Sequence, residues 1–355
     1  MDNELVLAEL YKTGTDPRNI NGFKFMFKNI DLAVISLTKE MLSSGLIKKI
    51  YPMGTVESSI KTARERLNID YVTEKGITGK GVGIAIMDTG ISPIADFKGR
   101  IAVFRDFISN NKSPYDDNGH GTHVSGIACG NGASSNGIFR GVAPSAHIIS
   151  LKILDKYGKG NSLATLNGIQ WILENHKKYN IKVINISAGS SDKNVNIPLV
   201  KAAESAVKNG ISVIAADNNS AFFSSVTSPG ISPLVLTEGS ASNFPSIRTF
   251  RTGSFSNKTY YKKPDIYAPG EDIISCLSPE YRFEERFDSQ KNVVNKNYIK
   301  MSGSSMATPI ISGIAALIYE KYPYITPAEL KNIITSNLCD GTEIPLPDAR
   351  KIFNI

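Results

Sequence analysis

The sequence predicts an α/β protein built on a parallel sheet with helices on both faces, and three observations carry that prediction. Short apolar runs recur at 81–87, 147–153, 181–186 and 211–216, each the length of a strand buried on both faces. Helical patterns lie between them at 121–130, 162–178 and 197–208, and strands alternating with amphipathic helices indicate parallel crossovers. Asp88 comes directly after the first run and Asn218 shortly after the last. Both fall on the carboxyl-end rim of the sheet, where open sheets of this kind form their sites.

Residues 1–58 follow a different pattern. Apolar runs at 22–27 and 31–37 precede a helix-like stretch, 38–46, and then Ile47–Tyr51, which together predict a small α+β unit. Residues 59–355 hold the rest. Within them, 279–300 is a polar, charged stretch (Glu280, Arg282, Glu284, Glu285, Arg286, Asp288, Lys291, Lys296) expected to be a solvated loop or hairpin. Helical patterns at 305–321 and 326–336 close the chain.

The 355 residues suffice for one large domain plus something small. The net charge of +7 is spread along the chain with no aromatic-basic pattern, so nucleic acid is not an expected partner. Cys129, Cys276 and Cys339 are far apart and odd in number, a poor basis for disulfides or a metal site. The N-terminus begins acidic and no apolar run of membrane-spanning length follows, so no membrane contact and a cytoplasmic location are expected. The Asn-x-Ser/Thr matches at Asn185, Asn218 and Asn257 are then chance.

Three short strings carry chemistry: Asp88-Thr89-Gly90, His120-Gly121-Thr122-His123, and Gly303-Ser304-Ser305-Met306-Ala307-Thr308-Pro309. Each is common alone. In this order, with an Asn between the second and third, they resemble the subtilisin-like serine proteases (subtilases) over roughly residues 57–355. Chain order matters because the same catalytic geometry occurs on other folds in other orders. The resemblance implies a subtilisin-like catalytic domain, with 1–58 similar to a shortened propeptide that assists folding and blocks the cleft. The junction would lie near Val56–Ile60, and self-processing is the expected route to the mature enzyme.

A serine hydroxyl is a weak nucleophile unless a neighbouring base takes its proton. The resemblance selects Ser305 as nucleophile, His120 as base and Asp88 as the group that orients it. Ser305 opens a long apolar helix, whose N-terminus suits a developing oxyanion. Taken alone, Ser304 or Ser305 would be read as a helix cap. His123 lies one turn beyond His120 and cannot share its geometry. His-x-x-His without the glutamate of a helical zinc protease makes no metal pair. His147 and His176 read as structural.

Asn218 would supply the oxyanion-hole amide, with Asp217 standing where the family has glycine. Pointing into the specificity pocket, Asp217 would favour a basic residue before the scissile bond; exposed, it would do nothing. Ser187-Ala188-Gly189 and Gly158-Lys159-Gly160 match the family's substrate rails, which pair with an extended peptide as an added strand. Thr227 matches the pocket floor. No metal is expected in the chemistry. Calcium is an open structural question at Asp96 and residues 130–140, a loop that brings no carboxylate to an ion wanting about six to eight oxygens.

The expected function is therefore a serine endopeptidase acting on proteins or peptides, with its own N-terminal segment as intramolecular inhibitor. The reading from another class is a non-catalytic scaffold of the same fold that binds peptides or regulates a partner. A narrower version of the first is a maturation protease for one peptide or proenzyme.

Overall fold

The computed structural model describes residues 5–11, 16–26, 33–52, 59–189, 197–217, 226–241, 263–281, 292–342 and 344–354. The chain divides into two compact units, residues 1–57 and 58–355. In the first, β1 (Leu5–Leu10), β2 (Phe23–Met26), β3 (Ala33–Ser36) and β4 (Ile47–Pro52) pair antiparallel in the order β2-β3-β1-β4. Its one described helix, α1 (Lys39–Ser43), is capped by Thr38, whose hydroxyl accepts the Met41 N–H. Ala8, Ala33, Ile35 and Met41 form its small core.

The second unit opens with α2 (Ile60–Arg66) and α3 (Ile69–Glu74) and is organised by seven parallel strands. These are β5 (Gly83–Asp88), β6 (Ile101–Asp106), β7 (His147–Lys152), β8 (Ile181–Ile186), β9 (Ser212–Ala216), β10 (Leu236–Ala241) and β11 (Ile266–Pro269), in the order β11-β10-β9-β8-β5-β7-β6. Every neighbouring pair is parallel. The chain enters at β5, builds one side with β6 and β7, then crosses to build the other from β8 onward. β5 and β8 therefore flank the switch point, where a crevice opens beyond the carboxyl ends of the strands.

Helices cover both faces, as the alternating pattern requires. One core packs α4 (His120–Cys129), α7 (Ser304–Lys321), α8 (Pro327–Ser336) and α9 (Ala349–Phe353) on the sheet together with α2 and α3. The other packs α5 (Ser162–Asn175) and α6 (Pro198–Lys208) on the opposite face. Asn161 caps α5, and Thr326 with Glu329 forms a capping box on α8. Part of the charged 279–300 stretch is β13 (Val293–Asn295), which with β12 (Ile273–Cys276) and β14 (Tyr298–Met301) makes a second, antiparallel sheet in the order β12-β14-β13. The stretch is thus a hairpin at its far end; residues 282–291 lie outside the described ones. No helix among the described residues is long and apolar enough to cross a membrane.

Candidate active site

At the carboxyl end of β5 stands Asp88, 1% exposed. Its Oδ1 accepts the Thr89 N–H at 2.7 Å and lies 2.7 Å from His120 Nδ1. Nδ1 is therefore the protonated ring nitrogen, which leaves Nε2 to act as a base. Burial opposes charge on this ring, but the Asp88 carboxylate, their hydrogen bond and nearby Asp116 more than offset it, so the His120 pKa lies above its ordinary value.

His120 is the first residue of α4, whose leading N–H groups have no partners within the helix. Asp116, fully buried, supplies them. Its Oδ1 accepts the Gly119 N–H and the Thr89 hydroxyl, both at 2.8 Å, while Oδ2 accepts the Thr122 N–H and hydroxyl. The Thr89 hydroxyl in turn accepts the Gly121 N–H at 2.8 Å. The carboxylate thus ties the end of β5 to the start of α4, fixing Asp88 and His120 relative to each other. Gly121 has to be glycine, because a Cβ there would come within 2.3 Å of the Gly90 carbonyl and 3.2 Å of Asp88 Cβ. Lys152 braces the same turn from β7: its buried ammonium donates to Thr89 O, Asp117 Oδ1 and Leu154 O at 2.5–2.9 Å.

Ser305 is the second residue of α7, which packs against α4. Neither serine caps the helix with its side chain; the cap position is Gly303. Both hydroxyls instead reach across to the sheet. Ser305 Oγ donates to Ser187 O beyond β8 at 2.8 Å, and Ser304 Oγ donates to Asp217 O beyond β9 at 3.2 Å. The start of α7 is thereby stitched to the ends of β8, the neighbour of β5, and of β9 beyond it. Asp88, His120 and Ser305 all lie at this rim, 8% exposure marking Ser305 as largely enclosed. Asn218 lies outside the described residues.

The sequence profile of the subtilase family matches residues 79–349. The chain belongs to the subtilase family. It is 39% identical to "Serine protease AprX" of Bacillus subtilis (strain 168), over 88% of this chain and 75% of that protein. It is 32% identical to "Subtilisin BL" of Lederbergia lenta, over 77% and 89% of the two chains. The solved structure of a cold-adapted subtilisin-like serine proteinase superposes with a TM-score of 0.59 at 27% identity, covering 76% of this chain and 88% of the other. This subtilase is accordingly a serine endopeptidase with the subtilisin-like fold, and the non-catalytic scaffold gives way to an enzyme.

Around the rim of the subtilase sheet, Ser187, Ala188 and Gly189 follow β8, with Gly189 exposed and Thr227 buried behind it. A Cβ on Gly189 would come within 2.1 Å of Thr227 Oγ1, so the two residues form one wall. Gly158 lies in the turn closed by Asp155 and Lys159; Gly160 faces the Ile153 carbonyl. Asp217 is half-buried, and its N–H donates to Glu238 O. Its charge acts on Glu238 and Tyr267, the groups beside it.

The second histidine is settled by its surroundings. His123 Nε2 lies 3.1 Å from the carbonyls of both Ile273 and Ile299, so that nitrogen carries the proton. Burial, then the neighbouring His120, lowers its pKa to about 3, and it stays neutral. His147 and His176 bond to the carbonyls of Tyr179 and Leu173. No group of three or more His, Cys, Asp or Glu residues among the described ones could hold a metal.

Asp96 is likewise not free for calcium. It is fully buried; Oδ1 accepts the Ser134 N–H at 2.9 Å and Oδ2 the Tyr298 hydroxyl at 2.7 Å, with Cys276 Sγ 3.7 Å away. Protein donors occupy the places a cation would take, and the donor set does not fit the ion. Asp116, Lys152 and Tyr298 lie beyond sequence reasoning; Asp116 stands three residues before the cap position Gly119, outside the place a capping acid is looked for.

Proposed function

We propose that this subtilase cleaves peptide bonds through an acyl-enzyme on Ser305. Ser305 Oγ attacks the scissile carbonyl as His120 Nε2 takes its proton; the imidazolium then passes that proton to the departing amine. Asp88 holds Nδ1–H and stabilises the transient cation without becoming protonated. The oxyanion faces the N–H groups at the start of α7 and the Asn218 amide. The observation that carries this reading is the 2.7 Å Asp88–His120 bond, set at the switch point beside the helix that Ser305 opens. We further infer that residues 1–58 are a propeptide removed by self-cleavage near Val56–Ile60, with the N-terminal unit inhibiting in cis until then. The partition into two compact units supports this.

The test is the intact mass and peptidase activity of the wild type beside Ser305→Ala. Loss of about sixty N-terminal residues in the wild type alone, with turnover abolished in the variant, is the expected result. Turnover retained in Ser305→Ala would refute the nucleophile. An active wild type that stays whole would refute self-processing only.

A further inference from the structure

A closed ring of hydrogen bonds ties the start of α7 to the sheet, and a glutamate completes it. The Asp217 N–H donates to Glu238 O at 2.8 Å. The Glu238 side chain meets Thr308, with Oε2 2.9 Å from Oγ1. Thr308 Oγ1 is also 2.9 Å from Ser304 O, and Ser304 Oγ returns to Asp217 O at 3.2 Å. Thr308 and Ser304 stand in the first turns of α7, on either side of Ser305; Asp217 precedes Asn218.

Glu238 is fully buried on β10, one strand in from the sheet edge, where an unpaired carboxylate costs several kcal/mol, on the order of its desolvation. Its neighbours do not neutralise it. The charge of Asp217, at the end of β9, acts against it, Tyr267 on β11 is not cationic, and the Thr308 hydroxyl and the Ala268 N–H offset burial only in part. Counting protons gives its state. The Thr308 hydroxyl has one proton, and the Ser304 carbonyl can only accept. If Thr308 donates to that carbonyl, as helix threonines commonly do, then Glu238 must donate to Thr308 as a neutral acid. Burial first, then the Asp217 charge, pushes the Glu238 pKa well above its ordinary value, in agreement. Oε1 is buried with no hydrogen-bond partner among the described residues, a lesser cost for a neutral carbonyl oxygen than for an anion.

We propose that Glu238 is a positioning residue for proteolysis, fixing the helix turn that carries Ser305 against the strand end that leads into Asn218. The proposal rests on the roles of Ser305 and Asn218 given above. Once Glu238 ionises, Thr308 must turn its proton to the carboxylate and release Ser304 O. The Asp217 charge then opposes the carboxylate. The Ser304 Oγ–Asp217 O bond remains, but the first turn of α7 loses the Thr308 bond that braced Ser304 O, and acylation slows while substrate binding changes little.

The test is the pH dependence of kcat and KM for the active form obtained from the protein expressed as the full chain, wild type against Glu238→Gln and Glu238→Leu, with active sites counted by ester burst titration. Wild type is expected to lose kcat on an alkaline limb. In Glu238→Gln that limb disappears while the acid limb stays in place. Glu238→Leu, which cannot close the ring, is expected to lose about tenfold in kcat at every pH, with KM changed less than about threefold. An alkaline limb shared by wild type and Glu238→Gln would overturn the proposal, as would a Glu238→Leu enzyme with wild-type kcat and only a lowered Tm. If the leucine variant does not fold, the glutamine profile decides alone. Turnover surviving in Ser305→Ala would instead overturn the underlying site.

Discussion

Asp116 holds Thr122 twice: its Oδ2 accepts both the backbone N–H, at 2.8 Å, and the hydroxyl, at 2.6 Å, of that one residue. With the Gly119 N–H and Thr89 hydroxyl on Oδ1, the carboxylate serves the whole approach to His120. Asp116→Ala strips these partners inside a buried network. We expect a loss of about 2–4 kcal/mol of stability, since each stranded buried group costs about 1–3 kcal/mol and the losses are not additive. Turnover should fall with it, because His120 loses its register on Asp88. Urea unfolding beside kcat measurement checks both, and unchanged stability would contradict the network.

On the proposed mechanism, the Asp88–His120 pair sets the acid limb of activity. The reaction needs a neutral imidazole, and the folded His120 pKa is raised, so kcat/KM should rise through a midpoint above the ordinary histidine value. Asp88→Asn removes the attraction and should move that limb to lower pH. The same change in a trypsin-type triad costs about 10⁴ in kcat, and a loss of that order is expected here. Stability follows the same sign: a raised pKa means the pair stabilises the fold fully below the unfolded histidine pKa, and the contribution fades as pH rises through the folded value. A limb that stays put in Asp88→Asn contradicts the assignment.

Chelators should leave this subtilase nearly unchanged in Tm, because Asp96 is satisfied by Ser134 and Tyr298. Tyr298→Phe should do what a chelator does not. Deprived of the hydroxyl, Asp96 Oδ2 loses its oxygen donor in a fully buried place, at a cost of about 1–3 kcal/mol. Thermal melts with and without EDTA, on both proteins, separate the two; a large chelator effect on the wild type would restore calcium to the site.

Sequence reading reaches what is local. β5, β7, β8 and β9 are visible as mostly apolar runs, interrupted by Ser150, Lys182 and Asn185, because both faces are buried, and Asp88 follows from being the first polar residue after such a run. Edge strand β6 is half-buried or exposed except at Asp106 and carries Arg105, so its apolar run is only the four residues 101–104. β10 reads Leu-Thr-Glu-Gly-Ser-Ala, where glutamate and glycine argue against a central strand, and Glu238 hides there for the same reason. Ser305 and His120 are legible from their strings; Asp116 is not, since nothing local distinguishes it from Asp117 beside it. Burial decides between them, and burial belongs to the fold.

Ser305 rides on a long, enclosed helix: every residue from 304 to 319 in α7 is buried. Such an element exchanges its amide hydrogens only when the whole cooperative unit opens. Ser305, the proposed nucleophile, therefore has no low-energy fraying mode of its own, and partial melting of the periphery leaves it in place. As the protein is heated, lost activity should coincide with global unfolding. Molecules cut by their neighbours should then be drawn from the small population that has opened completely.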